Sequence, residues 1–448
     1  MIDSGLLDET VAHLRQLIQF DTTNPPGNEL AAANYLRVAL EKAGIETRLI
    51  EPVAARGALI ARIRGRGAAR PILITAHLDV VGVERERWTV DPFAGDIRDG
   101  YVYGRGAIDD KGMVAVNLMA MLRLKRELVD RGVTLDRDVI FAATPDEETG
   151  GQYGLGWLIE HHPELIRAEF ALNEGGRIRV VNGRPLYAAV QTTEKVANVV
   201  TVTARGPAGH ASVPIEGNAV ARLARAVAAI VAHEQPIRLL PTVREFFARL
   251  SDIWPDEEVG DAMADVASGD AEAVARGCHA LCRLPIYNAV LRTGLSPTIL
   301  QAGSRANVIP TDAVATFSVR TLPGDGIDGL IERLRAVVDD PSVDIALRSR
   351  GTEAPASDHE SIMFSAIRDA VAALDPGIVT VPYMSTGATE SAHLRAWGVQ
   401  TFGLLPFPLS PTDEARMHGH DERVPIPALG FAVDLVFDVV RRMAAPAA

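Results

Sequence analysis

The pattern of apolar and polar positions alternates between helical and strand periods over the first third of the chain. Apolar residues recur at helical spacing over 6–19 and 29–43, and Gly44 is a signal for the end of the second helix. The runs 71–76 and 138–143 are almost wholly apolar and of strand length, which predicts buried central strands. The same criteria predict strands at 47–52, 58–64 and 169–172 and a helix at 113–128. Helices alternating with buried strands indicate an α/β sheet covered on both faces.

The pattern changes near residue 196 and returns near residue 357. Val and Thr mixed with small residues at 196–205 predict an antiparallel strand. The next part is predicted to hold helices at 218–234, over most of 241–285 and at 327–338, with strands at 298–302, 313–320 and 343–348. The last part is predicted to hold a helix at 361–374, a strand at 400–405 and a helix at 428–443. We therefore predict a discontinuous α/β catalytic domain, 1–195 and 353–448, with an α+β domain inserted at 196–352.

Length and charge narrow the class of protein. A chain of 448 residues exceeds one ordinary hydrophobic core, so two domains are expected. A net charge of −13 argues against nucleic acid as a partner, because like charges repel. The first residues lack the pattern of a signal peptide, and no apolar run is long enough to span a bilayer. We therefore expect no membrane association.

The chain contains two cysteines, Cys278 and Cys282. Two cysteines exclude a disulfide framework, and a reducing cytoplasm is the expected location. Their spacing, with His279 between them, is also compatible with zinc. The surrounding segment is predicted to be helical, however, and it offers no second pair of ligands. We therefore prefer the interpretation without a metal.

Histidines and carboxylates recur where the apolar strands end. His77 and Asp79 follow the strand 71–76 and point to the same side, because side chains alternate along a strand. One of them can bind a metal while the other orients it. Sites in open α/β sheets lie beyond the carboxyl ends of strands. A capping histidine with a turn aspartate is the structural alternative.

Carboxylates are also paired with one another along the chain. Asp109 and Asp110 lie in a glycine-containing loop and repel each other unless a cation lies between them, although a turn with a helix cap explains them too. Glu147 and Glu148 follow the strand 138–143, where one can bind a metal while the other acts as a general base. An exposed acidic turn is the alternative there. Glu174 closes a third predicted strand.

Two more histidines, His418 and His420, lie in a loop near the end of the chain. Each of these pieces, taken alone, is more often structural than catalytic. Together they supply histidines and carboxylates at three strand ends and two loops. That set suits two divalent ions that share a bridging carboxylate, and imidazole with carboxylate favours zinc.

These motifs, in this order, resemble those of the M20 metallopeptidase family, which includes aminoacylase-1, carboxypeptidase G2 and succinyl-diaminopimelate desuccinylase. The resemblance covers nearly the whole chain, from the first predicted helix to His418 and beyond. It implies a zinc-peptidase-type mixed sheet flanked by helices. It also implies that the inserted domain is a lid, which the family also uses for dimerisation.

The resemblance implies a role for each residue of the metal site. His77 and Glu174 would hold one zinc ion, and Glu148 and His418 would hold the other. Asp109 would bridge the two ions. The peptide bond between residues like Asp109 and Asp110 is often cis in the family. Co²⁺ or Mn²⁺ are expected as substitutes for zinc.

Two further residues gain roles beside the ligands. Asp79 would orient His77, and Glu147 would be the general base. His420 falls where many relatives carry a proline, so we prefer His418 as the ligand and keep His420 as the alternative.

The resemblance extends to the inserted domain. His210, in the loop 206–212, would stabilise the oxyanion, often from the partner subunit; without the resemblance it is a loop histidine. Asn307 and Arg320 match lid positions that contact substrate, and Arg320 could hold a carboxylate through two parallel hydrogen bonds. Gly387 lies in a loop whose backbone amides would face the substrate carboxylate. A surface arginine and a glycine turn are the structural alternatives.

The implied reaction is hydrolysis of the amide bond in N-acyl amino acids or small peptides that carry a free carboxylate. The segments 77–81 and 173–176 look more like the aminoacylase and carboxypeptidase branches than the deacetylase branches. A deacetylase or desuccinylase of the acetylornithine or diaminopimelate type is the alternative within the family, and a catalytically silent metal-binding homologue is the alternative outside it. A helical insertion between His233 and Leu295 leaves open whether the lid forms a homodimer or leaves a monomer.

Overall fold

The secondary structure follows the predicted order of helices and strands, and a computed structural model describes residues 3–446. The α-helices within this range are α1 (Ser4–Ile18), α2 (Leu30–Lys42), α3 (Lys111–Glu127), α4 (Leu155–His161), α5 (Pro163–Ile166), α6 (Ala219–Ala232), α7 (Pro241–Leu250), α8 (Glu257–Ala267), α9 (Ala271–Leu281), α10 (Pro285–Leu291), α11 (Ile327–Val338), α12 (Ile362–Leu374), α13 (Ser391–Ala396), α14 (Pro411–Glu414) and α15 (Ile426–Ala444). Short 3-10 turns lie at Arg85–Arg87, Val129–Arg131, Glu147–Thr149 and Ser251–Ile253.

The strands within the same range are β1 (Glu46–Val53), β2 (Arg56–Ile63), β3 (Ile72–His77), β4 (Ile97–Arg98), β5 (Tyr101–Tyr103), β6 (Val139–Thr144), β7 (Phe170–Val181), β8 (Arg184–Glu194), β9 (Val196–Arg205), β10 (Gly209–His210), β11 (Gly294–Ala302), β12 (Val308–Ile309), β13 (Asp312–Thr321), β14 (Val343–Ser349), β15 (Val379–Ser385), β16 (Gln400–Leu409) and β17 (Arg423–Pro425).

The contacts between residues divide the chain into two units. Unit 1 contains the described residues up to Thr192, together with Ala356–Tyr383 and the residues from Thr389 onward. Unit 2 contains Thr193–Pro355 and Met384–Ala388. The predicted catalytic and lid domains, with their limits at 195 and 353, stay a prediction.

Unit 1 is built on a mixed sheet with the strand order β1-β2-β6-β3-β7-β16-β8-β15. The central strands β6, β3, β7 and β16 run parallel, whereas β1, β2 and β8 pair antiparallel with their neighbours. Because parallel strands end at the same edge of a sheet, residues that follow β3 and β6 are brought side by side; His77 lies opposite Thr144. The predicted class, a large mixed α/β sheet flanked by helices, is confirmed.

Both faces of this sheet are covered, as the apolar strands require. Along β3, Ile72 and Ile74 pack into one core while Leu73 packs into another on the opposite face. Helix α3 lies in the first core, where it contacts α1, α15 and β3 and buries nearly all of its residues. Residues 111–122 of this helix are all buried, so its first three turns meet the protein interior and not water on every side. Leu155 and Leu394, from α4 and α13, lie in the second core.

Unit 2 contains an antiparallel sheet with the strand order β11-β13-β9-β14. Alternate residues of β9 and β13 are buried, which is the two-residue period of a sheet covered on one face. Helices α6 and α11 supply the cover, with Leu223 and Leu330 packed against Val202 and Phe317. The helices α7 to α10 form the insertion that the acidic helical segment predicted.

Several strands differ from the prediction. Strand β7 continues to Val181, although the polar and glycine residues 173–176 indicated a loop after 172. Strands β8 and β15 were not predicted, and both lie toward one edge of the unit 1 sheet. The strands β4, β5, β10, β12 and β17 were not predicted either, because segments of two or three residues are too short to show a strand period. Within residues 3–446, no helix combines the length and the apolar character that crossing a bilayer requires.

Candidate metal centre

The site begins with His77, the last residue of β3. One ring nitrogen, Nδ1, lies 3.0 Å from the carbonyl oxygen of Asp79 and 3.4 Å from its carboxylate. The other, Nε2, lies 2.9 Å from Oδ1 of Asp109. Both His77 and Asp79 are buried. Asp79 therefore holds the back of the imidazole and leaves Nε2 facing the carboxylates of the site.

Asp109 lies between two imidazoles. Its Oδ1 faces His77, and its Oδ2 lies 3.1 Å from Nε2 of His418. The same Nε2 atom lies 3.2 Å from Oε1 of Glu148. Each oxygen of Asp109 thus points toward a different histidine, as a carboxylate that bridges two cations would. The Asp109–Asp110 peptide bond is cis, as the family resemblance implies.

Glu147 and Glu148 occupy the 3-10 turn that follows β6. Their backbone N–H groups each donate a hydrogen bond of 3.0 Å to the carboxylate of Asp79. Asp79 therefore fixes the turn that carries both glutamates as well as the imidazole of His77. The sequence analysis assigned Asp79 only the contact with His77.

Two groups of ligand atoms lie close enough together to hold a metal ion, with all atoms of each group within 4.8 Å of one another. One consists of His77, Glu147 and Glu174, and the other of His77, Asp109 and Glu148. Glu174 lies within β7 rather than after it. Among the residues that the structure describes, neither group includes His418 or His420.

The electrostatics of the cluster reflect an excess of carboxylates. Burial and the charge of Asp109 raise the pKa of Glu174 to about 8. Burial, with the charges of Glu174 and Asp109 nearby, raises the pKa of Glu147 well above its usual range. Hydrogen bonds to Asp109 and Glu148 raise the pKa of His418 to about 10. Burial opposes the charge on Asp109, but hydrogen bonds from His418 and His77 outweigh it and lower its pKa.

The donor set fits divalent cations. Oxygen and imidazole nitrogen atoms converge from β3, β7 and three loops, and the carboxylates repel one another without positive charge between them. Imidazole together with carboxylate is a ligand combination that zinc accepts readily. The residues predicted as ligands, His77, Asp109, Glu148, Glu174 and His418, all belong to unit 1 and converge on this one place.

The predicted substrate contacts lie in unit 2. His210 and Asn307 are neighbours there: β10 pairs with β12, and the carbonyl oxygen of Asn307 accepts a hydrogen bond of 3.0 Å from Ala211. Arg320 lies in β13 opposite Ala197. The backbone N–H of Gly387 donates to the hydroxyl of Ser385. The roles of His210, Asn307, Arg320 and Gly387 toward a substrate stay predictions.

Sequence reasoning missed a buried network beside the glutamate turn. Arg56 donates to Asp146 at 2.8 Å and to Glu29 at 2.7 Å. Asn24 donates to both Asp79 and Asp146. The segment Asn24-Pro25-Pro26-Gly27 was a possible signal for a fixed turn, but nothing in it indicates a contact with residues more than a hundred positions away.

The sequence profile of Peptidase family M20/M25/M40 matches residues 73–442. The chain is 30% identical over 392 residues to the probable carboxypeptidase S-like 2 of Dictyostelium discoideum, which covers 83% of this chain and 71% of that protein. It is 28% identical over 392 residues to the N-fatty-acyl-amino acid synthase/hydrolase PM20D1 of Homo sapiens, and the match covers 83% of this chain and 74% of that protein. It is 26% identical over 425 residues to human aminoacylase-1, and the match covers 93% of this chain and 90% of that protein.

The fold is also similar to solved structures. The M20 family metallo-carboxypeptidase Sso-CP2 of Sulfolobus solfataricus superposes with a TM-score of 0.73 at 18% identity, covering 97% of this chain and 99% of that one. The YXEP protein of Bacillus subtilis, described as a dinuclear metal binding peptidase from the M20 family, gives a TM-score of 0.62 at 17% identity and covers 98% of each chain. The family predicted from the motifs is therefore confirmed: this chain belongs to Peptidase family M20/M25/M40 and is a hydrolytic enzyme of that family.

Proposed function

We propose that the protein hydrolyses the amide bond of N-acyl amino acids or small peptides with a free carboxylate, at a centre of two zinc ions. The observation that carries this proposal is the position of Asp109. Its two carboxylate oxygens face two different histidines at 2.9 and 3.1 Å, and Glu147 and Glu148 lie on the adjoining turn.

Five residues would hold the metal ions. His77 and Glu174 would hold one ion, Glu148 and His418 would hold the other, and Asp109 would be shared between them. Bound divalent ions would acidify a water molecule and polarise the scissile carbonyl group. The contact of His418 with both Asp109 and Glu148 supports it as the ligand in preference to His420. Co²⁺ or Mn²⁺ are expected to replace zinc.

Glu147 moves the protons of the reaction. It accepts a proton from the attacking water as the water oxygen bonds to the carbonyl carbon. It then donates that proton to the leaving nitrogen as the C–N bond breaks, which yields a carboxylic acid and a free amine. The hydrogen bond from the Glu147 backbone to Asp79 holds the turn of this base in place.

Residues of unit 2 would supply the remaining contacts with substrate. His210, from the same chain or from a partner, stabilises the oxyanion of the tetrahedral intermediate. Arg320, Asn307 and the backbone amide of Gly387 bind the substrate carboxylate and the scissile group. The side chain of Arg320 is partly buried in β13, where a fixed guanidinium can pair with a carboxylate through two hydrogen bonds.

The names of the relatives support this substrate class. PM20D1 is named as a synthase/hydrolase of N-fatty-acyl amino acids, and the Dictyostelium relative as a probable carboxypeptidase. A deacetylase of acetylornithine or a desuccinylase of diaminopimelate type is the alternative within the family. A metal-binding homologue without activity is the alternative of a different class.

The function is tested by release of free amine from a panel of N-acyl amino acids, dipeptides, N-acetylornithine and N-succinyl-diaminopimelate. The zinc-loaded protein is compared with Glu147→Gln and with the control Glu160→Gln, an exposed glutamate on α4. Loss of a general acid and base should lower kcat by about 10²–10⁴-fold. Zinc content should be unchanged in both variants, and activity unchanged in the control.

Each result of this panel has one interpretation. Turnover of acyl amino acids or dipeptides supports the proposal, and turnover confined to the ornithine or diaminopimelate substrates favours the first alternative. Stoichiometric zinc without any turnover favours the silent homologue. Full activity of Glu147→Gln would show that the base is assigned to the wrong residue.

We also propose a homodimer formed through unit 2. Strand β11 is at the edge of its sheet, and Ile299 and Leu300 on it are 50% and 65% exposed. An exposed apolar edge strand is a surface that pairs readily with another copy of the same strand. A cytoplasmic location stays a prediction.

A further inference from the structure

Glu422 is a buried carboxylate that the proposed reaction does not use. It lies four positions after His418 in the same loop and is fully shielded from solvent. Its Oε1 accepts hydrogen bonds from the backbone N–H groups of Ile108, at 2.8 Å, and Asp109, at 3.1 Å. Its Oε2 accepts one from the backbone of Gly106 at 3.1 Å. The carboxylate therefore binds the backbone of the loop that carries Asp109.

Arg105 also binds Glu422, and it contacts the loop of His418 as well. Its Nη1 donates to Oε2 of Glu422 at 2.6 Å, and its Nη2 donates to the carbonyl oxygen of Gly419 at 2.9 Å. Gly419 is the residue directly after His418. Arg105 is also buried, with its guanidinium 5.4 Å from the ring centroid of Trp88. A guanidinium between a carboxylate and a carbonyl oxygen gives charge-assisted hydrogen bonds of defined direction.

These contacts join two loops that are far apart in the sequence. Residues 105–109 carry Asp109, and residues 418–422 carry His418. Asp109 and His418 must lie about one hydrogen-bond length apart for both to reach the same ion, and they are 3.1 Å apart here. His418 itself has a left-handed backbone, with a φ of 58°, which a flexible loop would not keep without support.

We propose that Glu422 is a positioning residue, which fixes the loop of Asp109 against the loop of His418 and so sets the distance between these two ligands. This inference rests on the proposed two-metal function. Glu422 does not act as a ligand, because both of its oxygens are directed at backbone N–H groups and at Arg105. Groups that orient metal ligands through hydrogen bonds commonly change metal affinity by about 10–100-fold when they are replaced.

The test replaces Glu422 by Gln. The amide keeps the size of the side chain but turns an NH₂ group toward N–H donors and removes the charge that pairs with Arg105. The matched control is Glu169→Gln, because Glu169 also pairs with an arginine, Arg137 at 3.0 Å, but precedes β7 at the opposite end of the sheet. Arg105→Lys is the second variant, which keeps the positive charge and loses the directed contacts to Glu422 and Gly419.

The proteins are loaded with Co²⁺ and challenged with increasing chelator, while visible absorption reports loss of the ions. We expect the wild-type protein to hold two Co²⁺ ions per chain. Glu422→Gln should lose one of them at a chelator concentration about 10–100-fold lower, with a changed spectrum. Glu169→Gln should behave like the wild type, and Arg105→Lys should show a smaller shift in the same direction.

Other outcomes overturn the inference. It is wrong if Glu422→Gln keeps both ions as the wild type does, or if the control loses them equally, which would indicate general destabilisation. If Glu422→Gln does not fold, Arg105→Lys decides, and wild-type retention by that variant overturns the inference. If the wild-type protein does not hold two ions, both the proposed function and the inference are wrong. If the wild-type protein holds two ions and Glu422→Gln retains them equally well, only the inference is wrong.

Discussion

Arg56 donates a hydrogen bond of 2.8 Å to Asp146, and Asp146 has a left-handed backbone with a φ of 76° at the start of the turn that carries Glu147 and Glu148. Both side chains are buried. A non-glycine residue in this conformation is held there by its surroundings, at a cost of about 1–3 kcal/mol. Arg56 is part of those surroundings, so the geometry of the predicted base depends on a cation that never touches the metal ligands.

Replacing Arg56 by Met tests this dependence. The change leaves the carboxylates of Asp146 and Glu29 buried without their counter-charge, which should lower the free energy of unfolding by about 3–5 kcal/mol. Activity should fall with it. Urea unfolding followed by circular dichroism measures the loss of stability. Arg64→Met, at an exposed arginine that pairs with Glu46, should cost less than about 1 kcal/mol and serves as control. Equal stability of the two variants would contradict the role of Arg56.

Glu390 should make stability depend on pH. It is a buried carboxyl group that accepts hydrogen bonds from the backbone of Leu155 and the hydroxyl of Thr144, and burial raises its pKa from 4.5 to about 7. A carboxyl group with a raised pKa in the folded state favours folding below pH 4.5. That contribution is lost as the pH rises from 4.5 to about 7, because the unfolded state gives up its proton first.

The variant Glu390→Gln measures this effect. Its amide is neutral at every pH, so its stability relative to the wild type should rise by up to about 3 kcal/mol between pH 5 and pH 8 and then stay constant. Urea unfolding at several pH values gives the difference. A difference that does not change with pH would show that Glu390 titrates normally.

Removal of metal should destabilise the protein. The carboxylates of Asp109, Glu148 and Glu174 repel one another, and ions that bind only the folded state add to its stability. A chelator should lower the Tm by about 5–10 °C, measured by calorimetry. The variant Asp109→Asn lacks the bridging charge and should show a much smaller chelator effect. An equal decrease in both proteins would indicate that the chelator acts elsewhere.

The exposed edge of unit 2 should control self-association. Leu300→Lys places a charge on β11, and because edge strands are kept from pairing by such charges, the dimer should dissociate to a monomer. Light scattering coupled to size-exclusion chromatography gives the mass. Ile362→Lys makes the same change at an exposed residue of unit 1 and should leave the mass unchanged. A monomeric wild-type protein would contradict the proposed dimer.

The sequence predicted the elements whose signal is local. The strand at 71–76 and the helix at 327–338 follow from uninterrupted periodicity, and the structure has them at those places within one or two residues. Strand β7 was predicted too short because Asn173, Glu174 and two glycines interrupt its apolar run. Pairing with β16 and β8 keeps these residues in the sheet. Pairing with strands that are distant in the sequence cannot be predicted from the apolar pattern of the segment itself.

The candidate site also has residues with a local sequence signal and contacts without one. His77, Asp109 and Glu148 lie in motifs that can be read from a few neighbouring residues. The hydrogen bonds from Glu147 and Glu148 to Asp79 connect the segments that follow β6 and β3. Those of Arg56 and Glu422 connect residues that are still farther apart in the sequence. Residue type and spacing within one segment do not indicate which backbone groups a distant carboxylate will bind.

The contact between Glu422 and the backbone of Asp109 joins residues 313 positions apart. Ribosomes deliver a chain from its amino end, so His77, Asp109, Glu148 and Glu174 emerge long before His418 and the residue that holds its loop. The nascent chain therefore carries an unbalanced group of carboxylates through most of its synthesis. Contacts of such long sequence separation also form slowly. Capture of metal ions by all five proposed ligands would thus come late in the maturation of this enzyme, after the polypeptide of unit 2 has been made.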